Sequence, residues 1–203
     1  MIRAVVFDFG GVLVDERAAA QRLAGWEAHL GWPPGSLRQH LYSGAAWEAV
    51  STGQISMDAY WARVGAPLAA ALPAAFSAYR DSFHGAQLDA GMTALAWQLR
   101  ARFALALLSN ATLSLGQRLQ QETDLAGLFD VVVISAVEGT RKPEPAIYRL
   151  VWQRLGLPPA ACLLIDDKER NTAAALALGM PAIVHRSVAE TAQALRDLGI
   201  LAG

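Results

Sequence analysis

Apolar runs with almost no polar alternation recur along the chain at 3–8, 103–109, 131–135, 162–166 and 182–185. Strands of this kind are covered on both faces. Between the later runs, apolar residues recur with helical spacing over 90–102, 113–122, 143–155, 171–178 and 188–198. Strands alternating with helices of this length predict a parallel sheet with crossover connections.

The stretch after the first run breaks this rhythm. From about residue 15 to 83 no strand is predicted, only amphipathic helical segments interrupted at Trp32-Pro33-Pro34-Gly35, Ser51-Thr52-Gly53 and Ala66-Pro67. The expected organisation is α/β: a Rossmann-like parallel sheet core built from 1–14 plus 85–203, with a small all-helical cap at 15–84. Trp26, Trp32, Trp47 and Trp61 all fall in the insert, where large aromatics build a small core. A sharper alternative gives Trp47 or Trp61 a place on a substrate cavity.

Composition narrows the class. The 203 residues are 54% hydrophobic and 17% charged, as in a soluble globular protein, with a formal net charge of −1 that calls for neither nucleic acid nor an anionic membrane. A small-molecule partner is therefore expected. Cys162, the single cysteine, excludes an internal disulfide and a multi-thiolate metal site, fits a reducing cytoplasm, and reads as a buried small apolar residue. No run approaches a membrane-spanning length, and the first strand is not a signal peptide.

Four strand ends carry polar residues suited to phosphoryl transfer. Asp8 ends the first run and is followed by Phe9-Gly10-Gly11; Ser109-Asn110 follows the second; Lys142 lies beyond the third; Asp166-Asp167 ends the fourth. In a parallel sheet all four converge on one edge, where open α/β proteins bind ligands. A carboxylate can attack phosphorus, hard oxygen donors suit Mg²⁺, and a hydroxyl with an ammonium can hold phosphoryl oxygens. The chain's only lysines, Lys142 and Lys168, and only asparagines, Asn110 and Asn171, lie in these segments.

The motifs Asp8-Phe9-Gly10-Gly11-Val12-Leu13-Val14-Asp15, Leu108-Ser109-Asn110, Arg141-Lys142-Pro143 and Ile165-Asp166-Asp167 with Asn171 resemble the four motifs of the haloacid dehalogenase-like hydrolase superfamily. The resemblance extends to the position of the helical insert. It implies a Mg²⁺-dependent hydrolase acting on a small phosphorylated metabolite, a sugar phosphate among the options, through an aspartyl phosphate. Asp8 would be the nucleophile; Asp8, the Gly10 carbonyl and Asp166 would hold the metal. Ser109, Asn110 and Lys142 would bind the phosphoryl group, with Asp167 and Asn171 in support. Asp15 reads as a cap or hinge residue, Lys168 and Arg141 as solvated charges, and His29, His40, His84 and His185 as structural.

One position departs from that pattern. Phosphatases of the family usually carry an Asp two residues beyond the nucleophile, and here that residue is Gly10. Two expectations follow: a leaving group that departs with little protonation, such as an anomeric or acyl phosphate, and slow hydrolysis of a phosphorylated Asp8. Two other readings share the fold: a metal-free 2-haloacid dehalogenase, against which the paired acids Asp166-Asp167 argue, and a non-catalytic phosphometabolite-binding protein.

Overall fold

The computed structural model describes residues 1–81, 87–121, 125 and 127–201. His84, and the predicted boundary between cap and core at 84–85, lie outside them.

Five parallel strands form the central sheet: β1 (Ala4–Phe7), β4 (Ala104–Ser109), β5 (Val131–Ile134), β6 (Cys162–Asp166) and β7 (Ala182–Val184), in the order β5-β4-β1-β6-β7. The α/β fold class is as expected. Alternate residues of each buried strand enter two separate apolar layers. Val5, Phe7, Leu105, Leu107, Leu163 and Ile165 face one, beneath α7 (Ala90–Arg100), α8 (Ser114–Gln121) and α12 (Val188–Asp197). Ala4, Val6, Ala106, Leu108, Cys162 and Leu164 face the other, beneath α10 (Pro145–Leu155) and α11 (Glu169–Ala177). This explains the unbroken apolar runs.

Register fixes the site. Phe7 pairs with Leu107 on one side and with Ile165 on the other, so the chain leaves the central strand at Asp8 flanked by the ends of β4 and β6. The Asp8 amide still donates to the Ile165 carbonyl at 2.9 Å. Beyond β5 a single-turn helix, α9 (Ser135–Glu138), was not predicted.

Between β1 and β4 the described chain is mainly helical: α1 (Arg17–Leu30), α2 (Ser36–Tyr42), α3 (Gly44–Ser51), α4 (Met57–Val64), α5 (Ala66–Ala71) and α6 (Pro73–Asp81). They share a third apolar cluster containing Leu23, Leu37, Leu41, Val50, Tyr60, Trp61, Leu68, Phe76 and Tyr79. Aromatic edges interlock within it: Trp61 meets Phe76 at 5.4 Å, and Trp26 meets Tyr79 at 5.2 Å between ring centroids.

The absence of strands in this stretch needs one correction. Val14 and Asp15 form β2, paired antiparallel with Gln87 and Leu88 of β3, so the two chain passes are tied together by a narrow ladder. Two-residue strands carry no periodic signal. The predicted helix at 143–155 starts instead at Pro145, because the Glu144 amide donates to the Arg141 carbonyl at 2.8 Å and closes a turn before the helix.

Candidate active site

Lys142 organises the charges at the sheet edge. Its side chain is fully buried, and Nζ donates to the Leu108 carbonyl at 2.8 Å and to Asp166 Oδ2 at 2.6 Å while lying 2.9 Å from Asp8 Oδ1. Three acceptors match the three protons of an ammonium. The loop carrying Lys142 is itself held by Asn110, whose amide donates to the Lys142 carbonyl and whose Oδ1 accepts from the Lys142 amide, both at 2.8 Å. Ser109 is buried beside it at the end of β4.

The electrostatics follow from this burial. Desolvation pushes the Asp8 carboxyl up to about 7 even though Lys142 opposes the shift. Burial also disfavours the charge on Lys142, but Asp8 and Asp166 outweigh it and hold the ammonium above its usual range. For Asp166, desolvation is overcome by Lys142, the Lys168 amide and Asn171, and its carboxyl sits below the ordinary value. Burial raises Asp167, with Lys168 partly offsetting it.

Adjacent in sequence, Asp166 and Asp167 have different surroundings. Both oxygens of Asp166 are engaged: Oδ1 accepts from the Lys168 amide and from Asn171 Nδ2 at 2.9 Å, and Oδ2 takes Lys142 and the same Asn171 amide. Asp167 Oδ1 is buried with no hydrogen-bond partner. Its other oxygen lies against the loop after β1, where a Cβ built on Gly11 would stand 2.8 Å from Oδ2. Gly11 also has φ = 76°, so this position requires glycine on two counts. Oxygens of Asp8, Asp166 and Asp167 come within 4.8 Å of one another. Lys168 Nζ stands 3.8 Å from Asp167 Oδ1, and a buried carboxylate oxygen that still lacks a hydrogen bond, among other carboxylate oxygens, fits a hard divalent cation.

The remaining predicted residues fall into place around this cluster. Asn171 is buried in the first turn of α11, and its Oδ1 has no partner. Gly10 is bridged to Val14 through the carbonyls of Phe9 and Val14, not through its own. Asp15, read as a cap or hinge residue, accepts from the Arg17 amide at 2.9 Å and pairs with its guanidinium at 2.6 Å at the base of the insert. Cys162 is buried, and desolvation pushes its thiol up to about 11. His40 donates to the Val64 carbonyl and His185 bonds Thr191, which accords with structural roles.

Above the cluster opens a cavity of about 690 Å³ between the sheet edge and the helical insert. Asp8, Gly10 and Ser109 form its floor, and Leu23, Tyr42, Trp47, Met57 and Trp61 supply an apolar wall. Trp47 and Trp61 thus serve both the aromatic core and the cavity. Arg141 and Lys168, expected as solvated charges, line it too. Glu16 was missed by sequence reasoning; it lies on the cavity next to Gly10. An acidic residue just before a helix reads as an ordinary terminus, so no sequence signal marked it.

Acids and a buried lysine at the carboxyl edge of a parallel sheet, under a helical insert, form a set in which a strand-end carboxylate can act as a nucleophile. The haloacid dehalogenase-like hydrolase family model matches residues 2–179, and the chain belongs to that family. Among curated relatives, mouse "Acyl-CoA dehydrogenase family member 10" is 30% identical over 99% of this chain, which spans only 19% of that protein's length. The sesquiterpene phosphatase astK of Aspergillus oryzae is 26% identical, covering 97% of this chain and 96% of its own. A HAD family enzyme of Bacteroides thetaiotaomicron, crystallised with magnesium and inorganic phosphate, superposes with a TM-score of 0.67 at 20% identity, covering 92% and 95% of the two chains. An L-2-haloacid dehalogenase superposes with a TM-score of 0.65 at 28% identity, covering 90% and 83%.

Proposed function

We propose that the protein is a Mg²⁺-dependent phosphatase acting on a small phosphate monoester through a phosphorylated Asp8. The observation that carries this reading is the cluster of Asp8, Asp166 and Asp167 around Lys142, with one Asp167 oxygen buried, without a hydrogen bond and met only by the Lys168 ammonium at 3.8 Å. A metal-free attack on carbon gives no use to that oxygen.

Asp8, the Gly10 carbonyl and Asp167 would hold the ion directly, while Asp166, already committed to Lys142 and Asn171, braces the site and completes the acidic set. When bound, Mg²⁺ neutralises phosphoryl charge and orients the substrate. Both close contacts of the Asp8 carboxylate, from the Phe9 amide at 2.7 Å and from Lys142, fall on Oδ1. Oδ2 is therefore assigned the attack on phosphorus. As that acyl phosphate forms, charge leaves the carboxylate for the phosphoryl oxygens, and the Lys142 ammonium with the Ser109 hydroxyl stabilises it there. Asn110 contributes through its grip on the Lys142 loop.

The helical segment, 15–84 in the expected division, acts as a cap that covers the substrate. Its wall sets Trp47, Trp61, Tyr42, Met57 and Leu23 beside Arg38, Gln39, Asp58 and Arg80, and the aromatic part favours a phosphate ester with an apolar body over a sugar phosphate. The similarity to a sesquiterpene phosphatase supports the same preference. The near-neutral charge and the buried single thiol accord with a cytoplasmic metabolite enzyme, and among the described residues no helix is long and apolar enough to cross a membrane.

The test is release of inorganic phosphate from a panel spanning isoprenoid, aromatic and sugar phosphates, with and without Mg²⁺. Expected is metal-dependent turnover, highest for apolar esters and lowered by about 10³-fold or more in Asp8→Asn. Chloride release from a 2-haloacid without metal, with no phosphate release, would transfer the assignment to dehalogenation; phosphate-ester binding without turnover would make it a binding protein.

A further inference from the structure

Glu16 stands where the missing acid would begin. It follows β2 and precedes α1 at the N-cap position, yet its carboxylate makes no capping hydrogen bond. One oxygen, Oε2, accepts from Arg38 of α2. The other, Oε1, lies over the nucleophile loop, where a Cβ built on Gly10 would stand 2.9 Å from it. A side chain at position 10 and the Glu16 carboxylate therefore compete for one volume. That volume opens on the cavity whose floor includes Asp8 and Ser109.

We propose that Glu16 performs the proton transfers that Gly10 cannot, as general acid and then general base of the phosphatase reaction; the inference rests on the phosphatase reading above. In the first step Asp8 Oδ2 bonds to phosphorus, the bond from phosphorus to the ester oxygen breaks, and the Glu16 carboxylic acid gives its proton to that oxygen, releasing the alcohol. In the second step water bonds to the phosphorus of the aspartyl phosphate, its proton passes to the Glu16 carboxylate, and the bond to Asp8 breaks. Phosphate leaves, and both Asp8 and Glu16 return to their starting forms.

The surroundings suit the task. Arg38 anchors Oε2 and fixes the orientation of Oε1. Its side chain keeps 35% exposure, which gives water access for the second step. The leaving-group restriction and the long-lived phosphoenzyme expected from Gly10 alone are thereby removed.

Kinetics of the full chain with Mg²⁺ on two probes, p-nitrophenyl phosphate and n-butyl phosphate, test this. Nitrophenolate departs without an acid, whereas butanol does not. Glu16→Gln should lose about 10²- to 10⁴-fold in kcat on the butyl ester. On the nitrophenyl ester it should show a burst of nitrophenolate, with label retained on Asp8. Gly10→Asp placed in a Glu16→Ala background should recover at least about tenfold, because the carboxylate returns to the same volume. Equal losses on both probes with neither burst nor rescue, or Glu16→Gln turnover within about threefold of the parent, would overturn the proposal while Asp8-dependent turnover upheld the phosphatase reading. No Asp8-dependent phosphate release from either probe or from the wider panel would overturn both.

Discussion

Asn110 grips the main chain of Lys142 in both directions, donating to its carbonyl and accepting from its amide, each at 2.8 Å. A residue expected to touch substrate therefore spends its side chain on the loop that delivers the ammonium. Asn110→Asp keeps the acceptor but sets a second oxygen against the Lys142 carbonyl. We expect a loss of about 1–3 kcal/mol in stability, read by urea unfolding, and a larger fall in kcat than rise in KM. A KM effect alone would return Asn110 to substrate binding.

Lys142→Met removes the only counter-charge in hydrogen-bond contact with both Asp8 and Asp166 among the described residues. Breaking a buried ion pair from one side costs about 3–5 kcal/mol, so the metal-free variant should unfold at markedly lower urea. Added Mg²⁺ should recover part of the difference. A variant as stable as the parent would contradict the ion-pair geometry.

Proton linkage gives a third prediction. The Asp8 carboxyl is raised from 3.8 to about 7 in the native chain, so its contribution to stability is fully present below pH 3.8 and is lost as pH rises through 7. Asp166, shifted downward, works in the opposite sense: its contribution is present above its unfolded value of 3.8 and lost as pH falls through the lower native one. Mg²⁺ binding at pH 6 to 7 should therefore expel a proton, and affinity should climb with pH until Asp8 is ionised. Calorimetry in two buffers of different ionisation enthalpy measures that proton directly. A buffer-independent heat would speak against the raised carboxyl.

Gly53 rests on the main chain of Ala136, the contact through which the turn after α3 meets α9. A Cβ built there would stand 2.3 Å from the Ala136 carbonyl oxygen, and Gly53 has φ = 72°. Backbone cannot yield as a side-chain tip can, so Gly53→Ala should cost about 1–3 kcal/mol and loosen the helices from the sheet. Limited proteolysis within α3 and a raised KM are the readouts; unchanged cleavage and unchanged KM would show that this contact does not set the cap's position.

Buried Glu27 of α1 receives the Gly35 and Leu37 amides, both at 2.8 Å, and so satisfies the start of α2 from a neighbouring helix. Replacement by Ala should remove about 1–3 kcal/mol, measurable as a lower unfolding midpoint of the helical segment. A midpoint within error of the parent would count against this role.

The inner strands were legible because each is sandwiched between two apolar layers, which writes an unbroken run into the sequence, as in Ala4–Phe7 and Cys162–Asp166; the edge strands β5 and β7 are less covered but keep apolar runs. The four strand-end motifs were legible because parallel strands deliver their carboxyl ends to one edge. Three features were not. The β2–β3 ladder is two residues long on each side, too short for periodicity. Glu16 and Glu27 look like ordinary helix-surface charges until chain folding brings Gly10 and Gly35 to them. Asp166 and Asp167 are equivalent on paper; the alternation of side chains at a strand end turns one toward Lys142 and the other toward Gly11.

The β2–β3 ladder also marks a seam at which this enzyme can be taken apart. Val14 and Asp15 meet Leu88 and Gln87 across a connection two residue pairs wide, one step after the nucleophile loop and one step before Glu16. A helical segment exchanged at that seam would carry its cavity wall and its Glu16 together, leaving Asp8, Lys142 and the acid pair behind. Choice of substrate and handling of protons would then be inherited as one module, and a chimera lacking a carboxylate just past the seam would acquire the new substrate's fit without the means to release its alcohol.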